Sequence, residues 1–465
     1  MGATCGPAAH TEGTYIAHVD VHTAHHTVIA GTLTDPHALI LLRDGARTID
    51  LIDTTTHDLE VHLSHYMACG NGQVAAQVHG ASPQEDHTDG TGKECEQTSG
   101  PSASSIATHE NATALVHKRR KRHWDGVTTL PSATVILCTT GSSDLLAAAV
   151  QSILEQRDVD VDLIVVDNAP HTGATLDALA AVNDPRLRIV AQTHPGLSWA
   201  RNRGVLAAKG EVLVFTDDDA LADPMWLRAM IEPFAVDTAH RIGATTGTPL
   251  PLELTYRAQR WFESRGGFPK EMSPRLWWLG GEDPYLDAFG ERGVGGPLFP
   301  VTTARVGAGV SMAFRASTLA DVGPFDTALG AGTLTRGGED LDIFARLLAG
   351  GWAIVHTPDA IVHHRHRRDE EGLTLQIRGN GSGTAALLTK TLLPHPHMAI
   401  SLAARIPAVA RRLAPGSARV SGTTSDVPRS LTIAEIKGFL EGPLLYLRSV
   451  ARRGRTSSHC RRRHR

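Results

Sequence analysis

No uninterrupted apolar stretch in the 465 residues reaches the roughly 18 that a membrane-spanning helix requires, so no bilayer-crossing helix is expected. Cysteine is scarce. Cys5, Cys69, Cys95, Cys138 and Cys460 are widely separated and form no CxxC pair, which excludes a zinc knuckle and suits free thiols in a reducing compartment. An excess of one charge is also missing: 45 Lys and Arg stand against 49 Asp and Glu, a formal net charge of −4, so a surface devoted to polyanion binding is not expected. The 25 His would carry that balance positive under mild acid. The opening MGATCGPAAHTEG has neither a basic region nor an apolar core of signal-peptide type, and Gly6 stands where N-myristoylation needs Ser or Thr. A cytoplasmic protein is expected. Phosphate-binding loops are absent as well, with no GxxxxGK[ST] anywhere and no GxGxxG after the first strand of the periodic region.

Composition divides the chain near residue 130. Residues 1–79 hold a small β-containing region, where HALILLRDGARTIDLID joins two β-rich runs at Asp44-Gly45, a hairpin dipeptide. Residues 80–130 read as a disordered linker, poor in large apolar side chains and closing on a run of basic residues, Lys118 to His123. Residues 131–395 form the main α/β domain, and 396–465 a helical extension with a basic tail.

In the main domain, ATVILC (133–138), DLIVVD (162–167), LRIVA (187–191) and EVLVFT (211–216) are short apolar runs of the kind that buried parallel strands make. Helices are expected between them, capped by Ser143, Ser198 and Asp223-Pro224, the second ending at Gly210. This alternation gives a mostly parallel sheet covered by helices, with ligands at the carboxyl ends of the strands. Asp167 and the triplet Asp217-Asp218-Asp219 sit at such ends. Three adjacent carboxylates repel one another, and a hard divalent cation shared with a substrate's phosphates relieves that repulsion; an acidic surface turn is the plainer alternative. With no glycine cradle, phosphate charge falls to the metal and to side chains such as Arg201 or Arg203. GAGVSMAFR (307–315) allows close backbone approach. Glu339-Asp340 opens a helix with Leu341, Phe344, Leu347 and Leu348 inward, and the helix dipole favours an ionised Asp340, as a general base must be. HHRHRRD (363–369) offers imidazoles for a metal and guanidinium groups for a diphosphate, or else a solvated basic loop.

Taken in order, the strand ending at Asp167, ARNRG, DDD, GAGVSMAFR, GGED and HRHRRD resemble the family 2 glycosyltransferases of the GT-A fold over about 131–393. PGLSWARNRG, FTDDDALADPMWL, AQRWFE and LGAGTLTRGGEDLDIFARLL are similar to actinobacterial members in particular. The resemblance implies a Rossmann-like GT-A sheet and transfer of a sugar from a nucleotide-diphosphate donor to an acceptor hydroxyl with inversion. By residue, it implies that Thr139 and Asp167 contact the nucleoside and that Arg201 and Asn202 position the donor. Asp217 and Asp219 would form the DxD pair, with Asp218 among the donor contacts; Asp219, Asp217 and His364 would hold Mg²⁺ or Mn²⁺. Asp340, beside Glu339, would be the base. The implied partners are a UDP-, GDP- or TDP-linked sugar and a lipid-linked or cell-envelope glycan acceptor; nucleic acid is not expected. The chain departs from the family at Thr140-Gly141-Ser142, at Ser311 where Asn is frequent, and at RGNGSG (378–383) in place of an aromatic–glycine repeat.

Beyond Leu393 apolar and Arg positions mix, and no acidic residue follows Glu441. Such an end suits the surface of an anionic membrane, or equally a helical pack on the catalytic domain. A sugar-phosphate nucleotidyltransferase and a non-catalytic nucleotide-binding scaffold are the competing functional classes.

Overall fold

The computed structural model describes residues 14–20, 26–31, 37–44, 47–55, 59, 122–413, 417 and 427–462. Two compact units are distinguished, residues 12–121 and the unit containing 122–465. Most of the expected linker, 80–121, lies outside the described residues.

The smaller unit is a four-stranded sheet of β1 (Thr14–Asp20), β2 (His26–Ala30), β3 (His37–Asp44) and β4 (Arg47–Thr55), in the order β2-β1-β3-β4. The expected hairpin is β3–β4, antiparallel, with Asp44 opposite Arg47. The strands β1 and β2 were not foreseen. Tyr15, Ala17 and Val19 alternate along β1 into a core shared with Ala38, Ile40 and Leu42 of β3, while Thr14, Ile16 and His18, which point the other way, are buried as well.

The larger unit is built on a ten-stranded sheet. Its path runs β12-β11-β14-β10-β13-β8-β5-β6-β7, with β9 paired to β14. The parallel half consists of β5 (Ala133–Thr139), β6 (Leu163–Asp167), β7 (Leu187–Ala191) and β8 (Val212–Asp217). Alternate residues face opposite ways: Val135, Leu137, Val165 and Val214 enter one apolar layer, and Ile136, Ile164, Val166 and Phe215 the other. Helices α1 (Leu146–Leu154) and α4 (Trp226–Val236) close the first layer. The helices α2 (Ala174–Ala178) and α3 (Leu197–Ala207) follow β6 and β7. Strand direction then changes, for β13 (Met312–Arg315) lies antiparallel to both β8 and β10 (Ile242–Pro251). Next to β10 is β14 (Ala353–His364), parallel to it and buried throughout; β9 (Ala220–Ala222), β11 (Arg275–Trp277) and β12 (Glu291–Arg292) complete the sheet. This is the expected α/β architecture, mixed in direction and covered by helices.

The remaining helices are α5 (Arg257–Ser264), α6 (Pro284–Asp287), α7 (Ala316–Val322), α8 (Glu339–Ala349), α9 (Glu370–Leu392), α10 (Met398–Ala403), α11 (Ile406–Leu413) and α12 (Arg429–Arg462). RGNGSG is helical, inside α9. Its glycines let α12 approach to backbone contact: a Cβ on Gly438 would stand 2.0 Å from the Arg378 carbonyl oxygen, and one on Gly381 2.2 Å from that of Glu435. Arg265–Glu435 and Arg378–Glu441 ion pairs fix the same helix to the domain.

Several expected boundaries shift. Helix α1 begins at Leu146, later than Ser143, whose hydroxyl accepts from the Leu145 N–H while donating to the Asp218 carbonyl. Ser198 lies inside α3, donating to the Leu329 carbonyl, and Gly196 precedes the helix. That helix ends at Ala207; Gly210 instead donates its N–H to the Thr134 hydroxyl. Asp223 accepts from the Met225 N–H and α4 starts only at Trp226. On α8, Ile343 is fully buried and Leu341 only half-buried. Finally, the expected linker's last residues are packed: Arg122 pairs with Asp359, and Trp124 is buried in the core.

Candidate functional site

Four strands end around one cleft. Thr139 closes β5, Asp167 closes β6, Asp217 closes β8 and His364 closes β14, with Thr139 opposite Asp167 and Cys138 opposite Asp217 in register. The cleft has a volume of about 780 Å³. Along one wall run the hydroxyls of Thr139, Thr140, Ser142 and Ser143; along another run Arg365, Arg367 and Arg368. Gly141 makes the turn after β5, at φ +75°, and a Cβ there would stand 2.5 Å from the Thr175 nitrogen. The turn after β5 is thus a compact, hydroxyl-rich edge.

The acidic turn sits at the cleft floor. Thr139 donates to Asp218 at 2.5 Å while accepting from the Gly141 N–H at 2.8 Å. Burial, opposed by that hydrogen bond, raises Asp218 to about 6. Asp217 is raised too, chiefly by burial and against the pull of Arg201. Burial works in the same sense on Asp219, but His364, with Arg367 and Arg365 behind it, outweighs it and holds the carboxyl at about 2. His364 Nε2 lies 3.2 Å from Asp219 Oδ1, and Asp217, Asp219 and His364 each bring one ligand atom into a group no more than 4.8 Å across. Two carboxylates and an imidazole at that spacing fit a divalent cation.

Behind the floor is Arg201, 2% exposed. Its guanidinium donates to Glu339 at 2.9 Å and to the Gly309 carbonyl at 3.3 Å, and stands 3.6 Å from Asp217. A Cβ on Gly309 would meet that guanidinium at 2.7 Å, which is the close approach the glycine permits. Glu339, buried at the start of α8, is pushed up by burial and by the neighbouring Asp340 charge, with Arg201 opposing. Asp340 is half-buried and accepts from the N–H groups of Gly309 and Leu341 at 3.0 and 2.8 Å. Its charge reaches Asp217, so the first turn of α8 and the acidic turn share one electrostatic field.

The expected donor contacts are placed unevenly. Asp167 is buried, one carboxylate oxygen accepting from the Ala169 N–H, while its neighbours Asn168 and Ala169 line the cleft. Asn202 is turned away: its side chain both donates to and accepts from the backbone of Phe325, at 2.9 Å each. Arg201 is a strut under the floor, and Arg203 donates to the Ala191 carbonyl. None of these three is on the cleft wall, so the cationic side chains facing the cavity are Arg365, Arg367 and Arg368. Arg365 pairs with Asp144 and Arg368 with Glu253; Arg367 is exposed and has no ion-pair partner within 4 Å among the described residues. The HHRHRRD run signalled these cations, whereas Ser143, Asn168, Phe268 and Gln376 carried no signal.

Residues 134–289 match the model of Glycosyl transferase family 2. The chain carries a family 2 glycosyltransferase domain. That segment holds Thr139, Asp167 and the acidic turn, and ends before Asp340 and His364. The succinoglycan biosynthesis protein ExoO of Rhizobium meliloti is 36% identical over 104 residues, 22% of this chain and 30% of that one. A glucosyl-dolichyl phosphate glucuronosyltransferase of Haloferax volcanii is 25% identical over 201 residues, 42% and 56% of the two chains. A PGL/p-HBAD biosynthesis glycosyltransferase of Mycobacterium bovis is 33% identical over 131 residues, 27% and 46% of the two. The chain spans under a third of the length of the first relatives it matches. These glycosyltransferase-domain relatives come from several bacterial lineages and an archaeon, so the actinobacterial likeness is a minor part of the resemblance. Among solved structures, the mannosyltransferase PcManGT from Pyrobaculum calidifontis, in complex with GDP-Man and Mn²⁺, superposes with a TM-score of 0.43 at 19% identity, covering 73% of this chain and 96% of that one.

Proposed function

We propose that the protein transfers a sugar from a nucleoside-diphosphate donor to an acceptor hydroxyl, in a single displacement that inverts the anomeric centre. The observation that carries this reading is the meeting of the Asp217, Asp219 and His364 ligand atoms in a cleft walled by arginines, with the Asp340 charge reaching Asp217 from the start of α8. The donor's nucleoside lies along Thr139–Ser143 and Asn168, with Asp167 supporting that edge, and Arg367 faces the diphosphate. Asp217, Asp219 and His364 hold Mg²⁺ or Mn²⁺, and such an ion supplies charge neutralisation for a departing diphosphate. Asp340 takes the acceptor proton as the new bond forms at the anomeric carbon and the bond to the diphosphate breaks. Arg201 keeps Asp217 and Glu339 in place around that event.

The acceptor is a lipid-linked or envelope glycan, reached by a cytoplasmic enzyme touching a membrane surface. Support comes from Leu440 and Leu444, 75% and 52% exposed on α12, which also carries Arg448 and Arg452, from Ile400 and Ile406, 81% and 62% exposed on α10 and α11, and from the relatives' names. Among the described residues no helix is long and apolar enough to cross a membrane.

The test is a thermal-shift panel of UDP, GDP and TDP with Mn²⁺ and with EDTA, since a ligand bound only by the native state raises its melting point. One nucleotide stabilises the chain with Mn²⁺ alone, and Asp219→Ala abolishes that stabilisation; Asp340→Asn keeps it yet loses transfer. No stabilisation by any nucleotide would favour the scaffold.

A further inference from the structure

The candidate cation site continues inward as a chain of polar side chains. His364 Nδ1 lies 3.1 Å from His366 Nδ1, His366 Nε2 lies 2.7 Å from Glu263 Oε1, and Glu263 Oε2 lies 2.5 Å from Lys270 Nζ. His364 and His366 are 8% and 3% exposed. Phe268 packs at a right angle to the His364 ring and tilted against His366, and Phe262 packs edge-on against His366, so both imidazoles lie against aromatic rings.

The direction of every hydrogen bond in this chain follows from its inner end. A carboxylate beside an ammonium group is ionised and can only accept. Burial opposes that state, but Lys270 and His366 outweigh it and hold Glu263 at about 2. The proton facing Glu263 must therefore be on His366 Nε2. In a neutral His366 the other nitrogen, Nδ1, is then an acceptor, and the only hydrogen it can accept is that on His364 Nδ1. When a cation takes the place of the proton on Nε2, Nδ1–H stays committed to His366, and the nitrogen left with a bare lone pair is Nε2, the atom that faces Asp219. Each orientation thus fixes the next across two helical and strand elements, from α5 to the end of β14.

We propose that Glu263 and His366 are positioning residues that fix the tautomer of His364, so that its Nε2 lone pair is presented to a divalent cation shared with Asp217 and Asp219. This rests on the reading of those three as the cation site, but the residues named lie outside it, in the AQRWFE segment and behind the cleft wall. In Glu263→Gln the amide can donate to His366 Nε2, which frees His366 to carry its proton on Nδ1; His364 must then accept at Nδ1 and point an N–H at the ion.

The measurement is Mn²⁺ affinity by calorimetry on the full chain, with the nucleoside diphosphate that gives the stabilisation described above. Loss of an outer partner of a ligating histidine typically costs 10–100-fold in metal affinity. We expect about that loss for Glu263→Gln, while Arg265→Gln, which loosens the same helix through Glu435, retains wild-type affinity. Equal loss in both variants, or no loss in Glu263→Gln, overturns the positioning role while leaving the proposed function intact. Failure of the wild type itself to bind Mn²⁺ overturns both. Independently of any variant, the histidine ¹⁵N spectrum of the Mg²⁺-loaded wild type should show His364 protonated at Nδ1 and His366 at Nε2; the reverse assignment refutes the proposal.

Discussion

Replacing Arg201 by Met tests whether this residue is a strut or a donor contact. The side chain is buried, and its removal leaves Glu339 buried with no cation and Asp217 with a weaker hold. Breaking a buried ion pair from one side typically costs about 3–5 kcal/mol. At roughly 2–4 °C per kcal/mol for a domain of this order, the melting point should fall by about 6–20 °C. The deficit should also depend on pH. Burial already raises Glu339 above its unfolded value, and loss of Arg201 removes the chief influence in the other direction. A carboxyl raised on folding contributes stability that is complete below the unfolded pKa and is lost as pH climbs through the folded one. Arg201→Met should therefore be closest to wild type near pH 4.5 and fall behind it progressively above that. Arg201→Met/Glu339→Leu removes both charges and should recover most of the loss, because apolar replacement of a buried pair is often neutral. Urea denaturation of these three proteins and of Glu339→Leu closes the cycle. If Arg201→Met matches the wild type within 1 kcal/mol, or the double variant is no better than the single, Arg201 is not the strut described.

Two further outcomes follow from packed positions. Burial, opposed by the Glu271 carbonyl, lowers His356 to about 4, so it folds neutral and its stabilising share is complete above its unfolded pKa and lost as pH falls towards 4. That share is at most about 3 kcal/mol; His356→Gln should flatten the acid limb of the stability curve, and parallel curves would count against it. Gly438→Ala places a methyl against the Arg378 carbonyl and should cost about 1–3 kcal/mol, visible as a lower melting point. An unchanged melting point would mean that the helix seam yields.

The parallel half of the sheet was legible because its strands are short apolar runs, each ended by an informative residue. The other half was not. IGATTGTPLP forms β10 although it holds two glycines and two prolines, and only its partners β13 and β14 make it a strand. Cap residues were legible as polar but not in place: Ser143 accepts from the Leu145 N–H just ahead of α1, whereas Ser198 lies inside α3 and spends its hydroxyl on a carbonyl 131 residues away. Arg201 and Asn202 were read as donor contacts from the motif around them, yet their partners Glu339 and Phe325 lie 138 and 123 residues downstream. Local sequence reports which groups are polar; it does not report which distant backbone will use them. The cluster of Asp217, Asp219 and His364 was assembled from motif order alone, and the described geometry brings those three together.

The change of strand direction at β13 divides the labour of the site. The acidic turn hangs from the parallel strands, whereas Asp340 is delivered by chain that has already crossed the sheet through β10 and β13. The two parts are tied through α3, whose Ser198, Asn202 and Arg201 bond to Leu329, Phe325 and Glu339 while Arg201 also stands against Asp217. A change in the chain that carries Asp340 is therefore felt at the acidic turn through a single helix of the parallel half.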